Sequence, residues 1–425
     1  MPNEVDVVVI GAGVAGVTAA RALTRDGHEV RVVEAGSRVG GRVCTIRDLV
    51  EGPVEAGAEF VHGNGAATWG DIRAAGLATV PVPARDSWFN LAGTTRWLPV
   101  HLCHPAVWRS FDILWALGHR TGPDVCAAEF IAERGYRGRA RELAALTLTA
   151  HLPGSLDEVG VAGMRADGVL HLERGVNHRV IDGYDGLPAH IAMGLRIDHG
   201  FRVGEVAWAS DGVAVTAADG RTLTARAAVT TLPHGVLRAG TVTFEPSLPA
   251  PKQAAIARIT TGPVTKVLLA FDEPFWRSRM AQLVCGTGPV TLYWPTSYRT
   301  DGPAVLSAYA TGPRAAELSA AGSDRAVHIV LDDLARVLPH GRPHARVCGV
   351  QYVDWLTDPN ALGGYTFLPP GAVGARAHLA APTTGALFWA GSATAWHPIA
   401  DTVEAAYLSG QRAAREVNAY LRTSD

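Results

Sequence analysis

Short β-branched runs alternate along this chain with stretches of helical spacing. The first run, Val5-Asp6-Val7-Val8-Val9-Ile10, is almost continuously apolar and predicts a strand buried on both faces. Helical spacing follows from Val17 to Asp26 and stops at Gly27; Glu29 to Val33 then predicts a second strand, ending in Glu34. Together these make a βαβ unit. Further on, Arg202 to Ala207, Val213 to Ala217 and Arg226 to Thr231 read as strands, with a hairpin turn at Asp219-Gly220. Helical spacing occupies Val107 to Gly118 and Asp124 to Ala150. Thr265 to Phe271 is an apolar strand interrupted only by Lys266. Leu387 to Ala390 is a last strand, and Gln411 to Leu421 a last helix.

Composition narrows the picture. At 425 residues, 48% apolar and 18% charged, the chain has the balance of a globular protein with a large core. Its 38 basic and 40 acidic residues leave a net charge of −2, so no global basic field points to nucleic acid or an anionic membrane. Five scattered cysteines form no CxxC pair, which argues against a disulfide framework or a metal site. No apolar run is long enough to span a bilayer, and the N-terminal run is too short for a signal peptide; a cytoplasmic enzyme is expected. Only two of the basic residues are lysines, Lys252 and Lys266. An ammonium can lose its proton and hold one water, which a guanidinium does not do, so Lys266 on its apolar strand is a candidate for chemistry. Lys252 is expected to be a structural residue at the surface.

The βαβ unit carries Gly11-Ala12-Gly13-Val14-Ala15-Gly16, a GxGxxG turn. Gly11 permits the tight turn, Gly13 lets a pyrophosphate approach the backbone, and Gly16 lets the helix pack on the strand. The helix N-terminus then faces the phosphates, and Glu34 stands where an acid accepts from the adenosine ribose. A second glycine turn, Arg38-Val39-Gly40-Gly41-Arg42-Val43, follows Glu34 and suits a flavin that runs deeper into the protein.

With that turn the sequence resembles the flavin-containing amine oxidases: polyamine and monoamine oxidases, L-amino-acid oxidases and flavin histone demethylases. The segment Glu55-Ala56-Gly57-Ala58-Glu59-Phe60-Val61-His62-Gly63 is similar to the one that crosses beside the flavin in the polyamine-oxidase branch. The amino-acid oxidases carry a Met-Arg pair there, so Glu59-Phe60 favours amines. Ile181-Asp182-Gly183-Tyr184 and Phe244-Glu245-Pro246 match further family turns, and Trp355 with Asp358-Pro359 and Gly363-Gly364-Tyr365 resembles the "W…DP…GGxY" turn. Gly391-Ser392-Ala393-Thr394 and Thr402-Val403 resemble the segment that closes on the flavin. The resemblance covers most of the chain and is thinnest from Val82 to Gly175, where four tryptophans (Trp88, Trp97, Trp108, Trp115) are expected in a helical core.

The resemblance implies a Rossmann-like α/β FAD-binding domain (1–81, 196–249 and 379–425) interleaved with an α+β substrate domain of mixed sheet plus helices (82–195 and 250–378). FAD would be bound non-covalently, because Gly364 stands nearest the position of the cysteine that bonds flavin in monoamine oxidases. Its implied contacts are Gly11, Gly13, Ala15, Gly16, Glu34, Ala35, Gly41, Arg42, Val206, Trp355, Gly391, Ser392, Thr402 and Val403. Lys266 would hold a water at the flavin N5, Tyr365 would form one wall of an aromatic cage, and His62 would be either an acid/base or orienting group facing the substrate or a hydrogen-bonded structural histidine. Two positions depart from the pattern. The family glutamate after Ala-Gly is Ser392, which removes a carboxylate from the cofactor site. The second cage aromatic falls on Thr402, with Trp396 the candidate replacement.

The implied reaction is oxidation of a neutral amine. Hydride passes to the flavin, the imine hydrolyses, and dioxygen becomes hydrogen peroxide. The partners are therefore a small amine and dioxygen, with no nucleic acid, membrane or metal; the oligomeric state is open. The departures motivate a second possibility, an FAD-dependent oxidase or desaturase of a specialised metabolite or amino-acid derivative. A third is a flavoprotein with vestigial redox activity and a binding role.

Overall fold

A computed structural model describes residues 5–82, 86–101, 103, 105–108, 112–149, 152–169, 176–297, 303–383, 385–395 and 400–423. The βαβ unit forms as its pattern predicts: strand Val5–Ile10, helix Val14–Arg25 and strand Val30–Val33. Both strands pair in parallel, and Val5–Ile10 also pairs in parallel with Thr222–Thr230. The sheet continues through Val213–Ala217 and Val203–Trp208 to Thr243–Glu245, and Leu387–Trp389 adds beside Thr222–Thr230. Gly220, at φ 90°, turns the expected hairpin between Val213–Ala217 and Thr222–Thr230.

One face of this sheet is covered by Val14–Arg25 and by Val403–Thr423, a helix longer than its sequence pattern suggested. Val180, Tyr184, Leu187 and Ile191 join the same core. Helix Gly186–Ala192 thus packs with the first sheet, although the expected division at 195 leaves it with the other unit.

A second, mixed sheet runs in the order Val347–Asp354, Val264–Phe271, Val305–Thr311, Leu292–Pro295, Gln282–Cys285, Ser87–Leu91, Thr94–Trp97. Its pairs are antiparallel except Gln282–Cys285 with Ser87–Leu91. The long helix Ser323–Val337 packs its apolar stripe on this sheet. A helical group, including Asp112–His119, Ala127–Glu133 and Gly138–Thr149, forms a separate core. The helix expected over 124–150 is therefore two helices, broken at Gly135, whose φ is 69°.

Two expectations are corrected. Trp97, Trp108 and Trp115 are 43%, 62% and 64% exposed, so tryptophan density did not mark a core there. Lys252 is not a surface residue; it is 4% exposed, donates to the carbonyls of Leu379 (2.8 Å) and Ala381 (2.5 Å), and lies 4.4 Å from the Trp389 ring centroid. Those carbonyls end helix Ala375–Ala380, where a cation is favourable. Among the described residues no helix is long and apolar enough to cross a membrane.

Candidate active site

Two adjoining cavities lie between the sheets. The first has a volume of about 330 Å³ and is lined at one end by Gly11, Gly13, Ala15 and Glu34. Each glycine of the turn has a physical reason. Gly11 has φ 101°, a conformation L side chains rarely adopt. A Cβ on Gly16 would lie 1.9 Å from the Gly11 carbonyl oxygen, so this residue sets the helix-to-strand approach and does not itself line the cavity. A Cβ on Gly13 would meet no protein atom within 4 Å, which leaves the backbone open to a ligand. Glu34 is oriented by two backbone donors, Ala12 N–H to Oε2 and Gly36 N–H to Oε1, both at 2.7 Å.

Gly41, Arg42, Trp355, Gly391, Ser392, Thr402 and Val403 line the remainder of this cavity. Arg42 donates to the Gly364 carbonyl and, at 2.9 Å, to Ser392 Oγ. Ser392 in turn donates to Asp401, whose carboxylate lies 3.6 Å from Arg42 and also accepts from the Thr366 N–H and hydroxyl. A carboxylate thus stands beside Ser392 after all, supplied nine residues downstream. Burial pushes the Asp401 carboxyl up, but Arg42 and Arg376 outweigh it and hold it below the usual range. Asp401 has φ 54°, uncommon outside glycine, and is held there by these contacts.

Besides Gly16, two expected contacts do not line the cavity. Val206 is fully buried, with its strand paired on both sides, to Val215 and to Phe244. Ala35 sits between Glu34 and Gly36 but is not part of the wall. Trp396 lies outside the described residues.

The second cavity, about 230 Å³, shares Gly57, Ala58, Lys266, Tyr309, Tyr365, Asp401, Thr402 and Val403 with the first. Lys266 is 3% exposed and donates to the carbonyls of Glu55 (2.8 Å) and Gly57 (3.0 Å) and to Glu59 Oε2 (3.1 Å). Glu59 also pairs with Arg179 Nε at 2.9 Å and accepts from Trp294 Nε1 at 2.8 Å. Burial raises the Glu59 carboxyl; Lys266 and Arg179 overcome it, and the net displacement is downward. Nearby, burial pushes the Glu55 carboxyl up to about 7, opposed by bonds from the Tyr184 N–H and the Thr45 hydroxyl.

His62 lines the second cavity, on the short strand Phe60–His62 opposite Asn177, and its Nδ1–H donates to Asn177 Oδ1 at 3.0 Å. Tyr365 borders both cavities with Tyr309, which stands directly across the strand pair from Lys266.

Sequence reasoning missed Tyr309, Trp294, Arg179 and Asn177, and used Glu59 only to favour amines over amino acids. Tyr309 and Trp294 sit in apolar strands that give no signal without strand register.

Comparison with known proteins supplies the identity of this arrangement. The family model described as flavin-containing amine oxidoreductase matches residues 14–96 and 126–418. The chain belongs to this family. It is a flavoenzyme whose cofactor is FAD. Polyamine oxidase 4 of Oryza sativa subsp. japonica is 30% identical, with 96% of this chain and 88% of that protein covered. Lysine-specific histone demethylase 1 homolog 2 of the same plant is 29% identical over 97% of this chain but 56% of its own. Among solved structures, putrescine oxidase bound to putrescine (TM-score 0.83, 20% identity) and cyclohexylamine oxidase from Brevibacterium oxydans IH-35A (TM-score 0.83, 22% identity) share the fold. Each covers 98% of this chain and 99% of the other. The residues present fit FAD. The Gly13 backbone is open, Glu34 is aimed, and the N-terminal residues of helices Val14–Arg25 and Val403–Thr423 line the cavity.

Proposed function

We propose that this flavoenzyme oxidises the C–N bond of a small amine to an imine, which water hydrolyses to an aldehyde or ketone plus ammonia or an amine. Dioxygen is the electron acceptor and leaves as hydrogen peroxide. The observation that supports this reading best is the wall common to both cavities, where Lys266, Tyr309 and Tyr365 meet. FAD, when bound, takes the two electrons of the oxidation.

The protein's own part is binding, orientation and exclusion of water. Gly11, Gly13, Glu34 and Arg42 hold the cofactor, and Gly16 fixes the helix that does so. Tyr365 and Tyr309 confine the amine in an aromatic site that disfavours its ammonium form, as the reaction requires. Lys266, its three N–H groups donated to Glu55, Gly57 and Glu59, holds a fixed positive charge in the wall at the junction of the cavities, and His62, with Nδ1 held by Asn177, presents a fixed imidazole to the substrate.

The polyamine oxidase and putrescine oxidase relatives support amines over amino acids, and Glu59-Phe60 points the same way. The test is anaerobic. A pool of primary, secondary and polyamines should bleach the bound flavin, and readmitted oxygen should restore the colour with stoichiometric hydrogen peroxide. A flavin left fully oxidised by every amine would sink the proposal.

A further inference from the structure

The charges around the second cavity carry a statement about the substrate. Three carboxylates line it: Glu59, Asp167 and Asp401. Each is already matched inside the protein. Glu59 lies between Lys266 and Arg179. Asp167 is engaged at both oxygens by Arg376, at 2.6 and 2.8 Å. Asp401 faces Arg42 and accepts from Ser392 and Thr366. Four cations therefore face three carboxylates, and all three acids are less than a tenth exposed. The remaining wall is largely apolar or aromatic, with Phe60, Leu292, Trp294, Tyr309 and Tyr365.

An amine reacts here with its reacting nitrogen uncharged, so that nitrogen needs no carboxylate. A diamine or polyamine brings a further ammonium of ordinary pKa about 10.4, which is costly to bury without a counter-charge. Among the described residues the cavity has no carboxylate to spare for it.

We propose that the substrate class is monoamines with an uncharged aromatic or alkyl body, and that the second cavity discriminates against diamines and polyamines. This rests on the amine-oxidase reading above and goes against the polyamines named for the relatives.

The experiment uses FAD-loaded enzyme, mixed anaerobically with two matched pairs: hexylamine against 1,5-diaminopentane, and 4-ethylbenzylamine against 1,4-bis(aminomethyl)benzene. Members of a pair share length and shape and differ by one distal ammonium. At about pH 7.5, below the ammonium pKa, the monoamine should bleach the flavin roughly tenfold faster or more at equal subsaturating concentration. The ratio should shrink towards one as the pH rises through about 10.4, where the distal group discharges. A diamine that bleaches as fast as its monoamine, or faster, in each pair that reacts overturns the assignment. So does a ratio that ignores pH. Silence from all four amines while a secondary amine or longer polyamine bleaches the flavin also overturns the assignment; silence from the whole amine pool is a different result, because it removes the amine-oxidase reading itself.

Discussion

Lys266 Nζ lies 3.1 Å from Glu59 Oε2, although the two residues are 207 positions apart in the chain. The lysine comes from a strand one in from the edge of the seven-stranded sheet and the glutamate from a loop that crosses between the two cavities. Glu59 neutralises both Lys266 and Arg179 in a space with almost no solvent. Glu59→Gln leaves two buried cations with a neutral amide, and breaking a buried pair in this way costs about 3–5 kcal/mol. Urea unfolding of the variant beside the parent measures it, and a loss below about 1 kcal/mol contradicts the pairing.

Lys266→Met keeps an apolar stem of similar length and removes all three donations. FAD should remain bound, because the phosphate end of the cavity is untouched. Turnover should fall by about tenfold or more, as expected for loss of a preorganised cation beside reacting groups. Peroxide formation per bound flavin checks this; an unchanged rate removes Lys266 from the site.

The second and third glycines of the turn should fail in different ways. Gly16→Ala places a methyl 1.9 Å from a backbone oxygen, so the helix has to move and the apoprotein should lose stability. Gly13→Ala meets no protein atom within 4 Å, so the apoprotein should melt like the parent. Its added methyl points into the space a pyrophosphate needs, so FAD affinity should drop steeply. Melting curves of the two apoproteins and FAD titrations by fluorescence quenching separate the outcomes.

Asp401 is expected to matter more than Ser392. Asp401→Asn removes the charge that faces Arg42, and FAD should bind roughly tenfold more weakly, equivalent to about 1.4 kcal/mol. Ser392→Ala removes one bridging hydroxyl, and its effect should be smaller, near 1 kcal/mol. Dissociation constants for FAD decide the order, and the reverse ranking refutes it.

His234 gives a pH dependence. Burial pushes its imidazole down to about 4, against a bond to the Ile256 carbonyl that raises it. The folded pKa lies below the unfolded value of about 6.5, so the unfolded chain binds the proton first as pH falls. Stability from this group is full above about pH 6.5 and is lost towards pH 4, by roughly 3 kcal/mol. Glu55, raised to about 7, works in the opposite sense, losing stability as pH rises from about 4.5 to 7. Comparing His234→Gln with the parent isolates the histidine; the variant should lose less stability between pH 6.5 and 4. Equal slopes for the two proteins would refute the assignment.

Local pattern alone determined the βαβ unit, the hairpin at Gly220, the strand that carries Lys266 and the GxGxxG turn. Those features depend on spacing and on backbone conformations that only nearby residues impose, so they are written in consecutive positions. The family resemblance likewise implied Glu34, Arg42, Ser392, Thr402 and Val403 as contacts of one cofactor, and all five line one cavity. Only the tertiary structure decided what surrounds them. Tyr309 stands beside Lys266 because two antiparallel strands adopt one register and not another. Arg179 and Trp294 reach Glu59 from elements more than a hundred residues away. Asp401 reads as a loop acid until folding brings it against Arg42 and Ser392. Charge compensation is a property of distances in a low-dielectric interior, and a linear sequence holds the charges but not the distances.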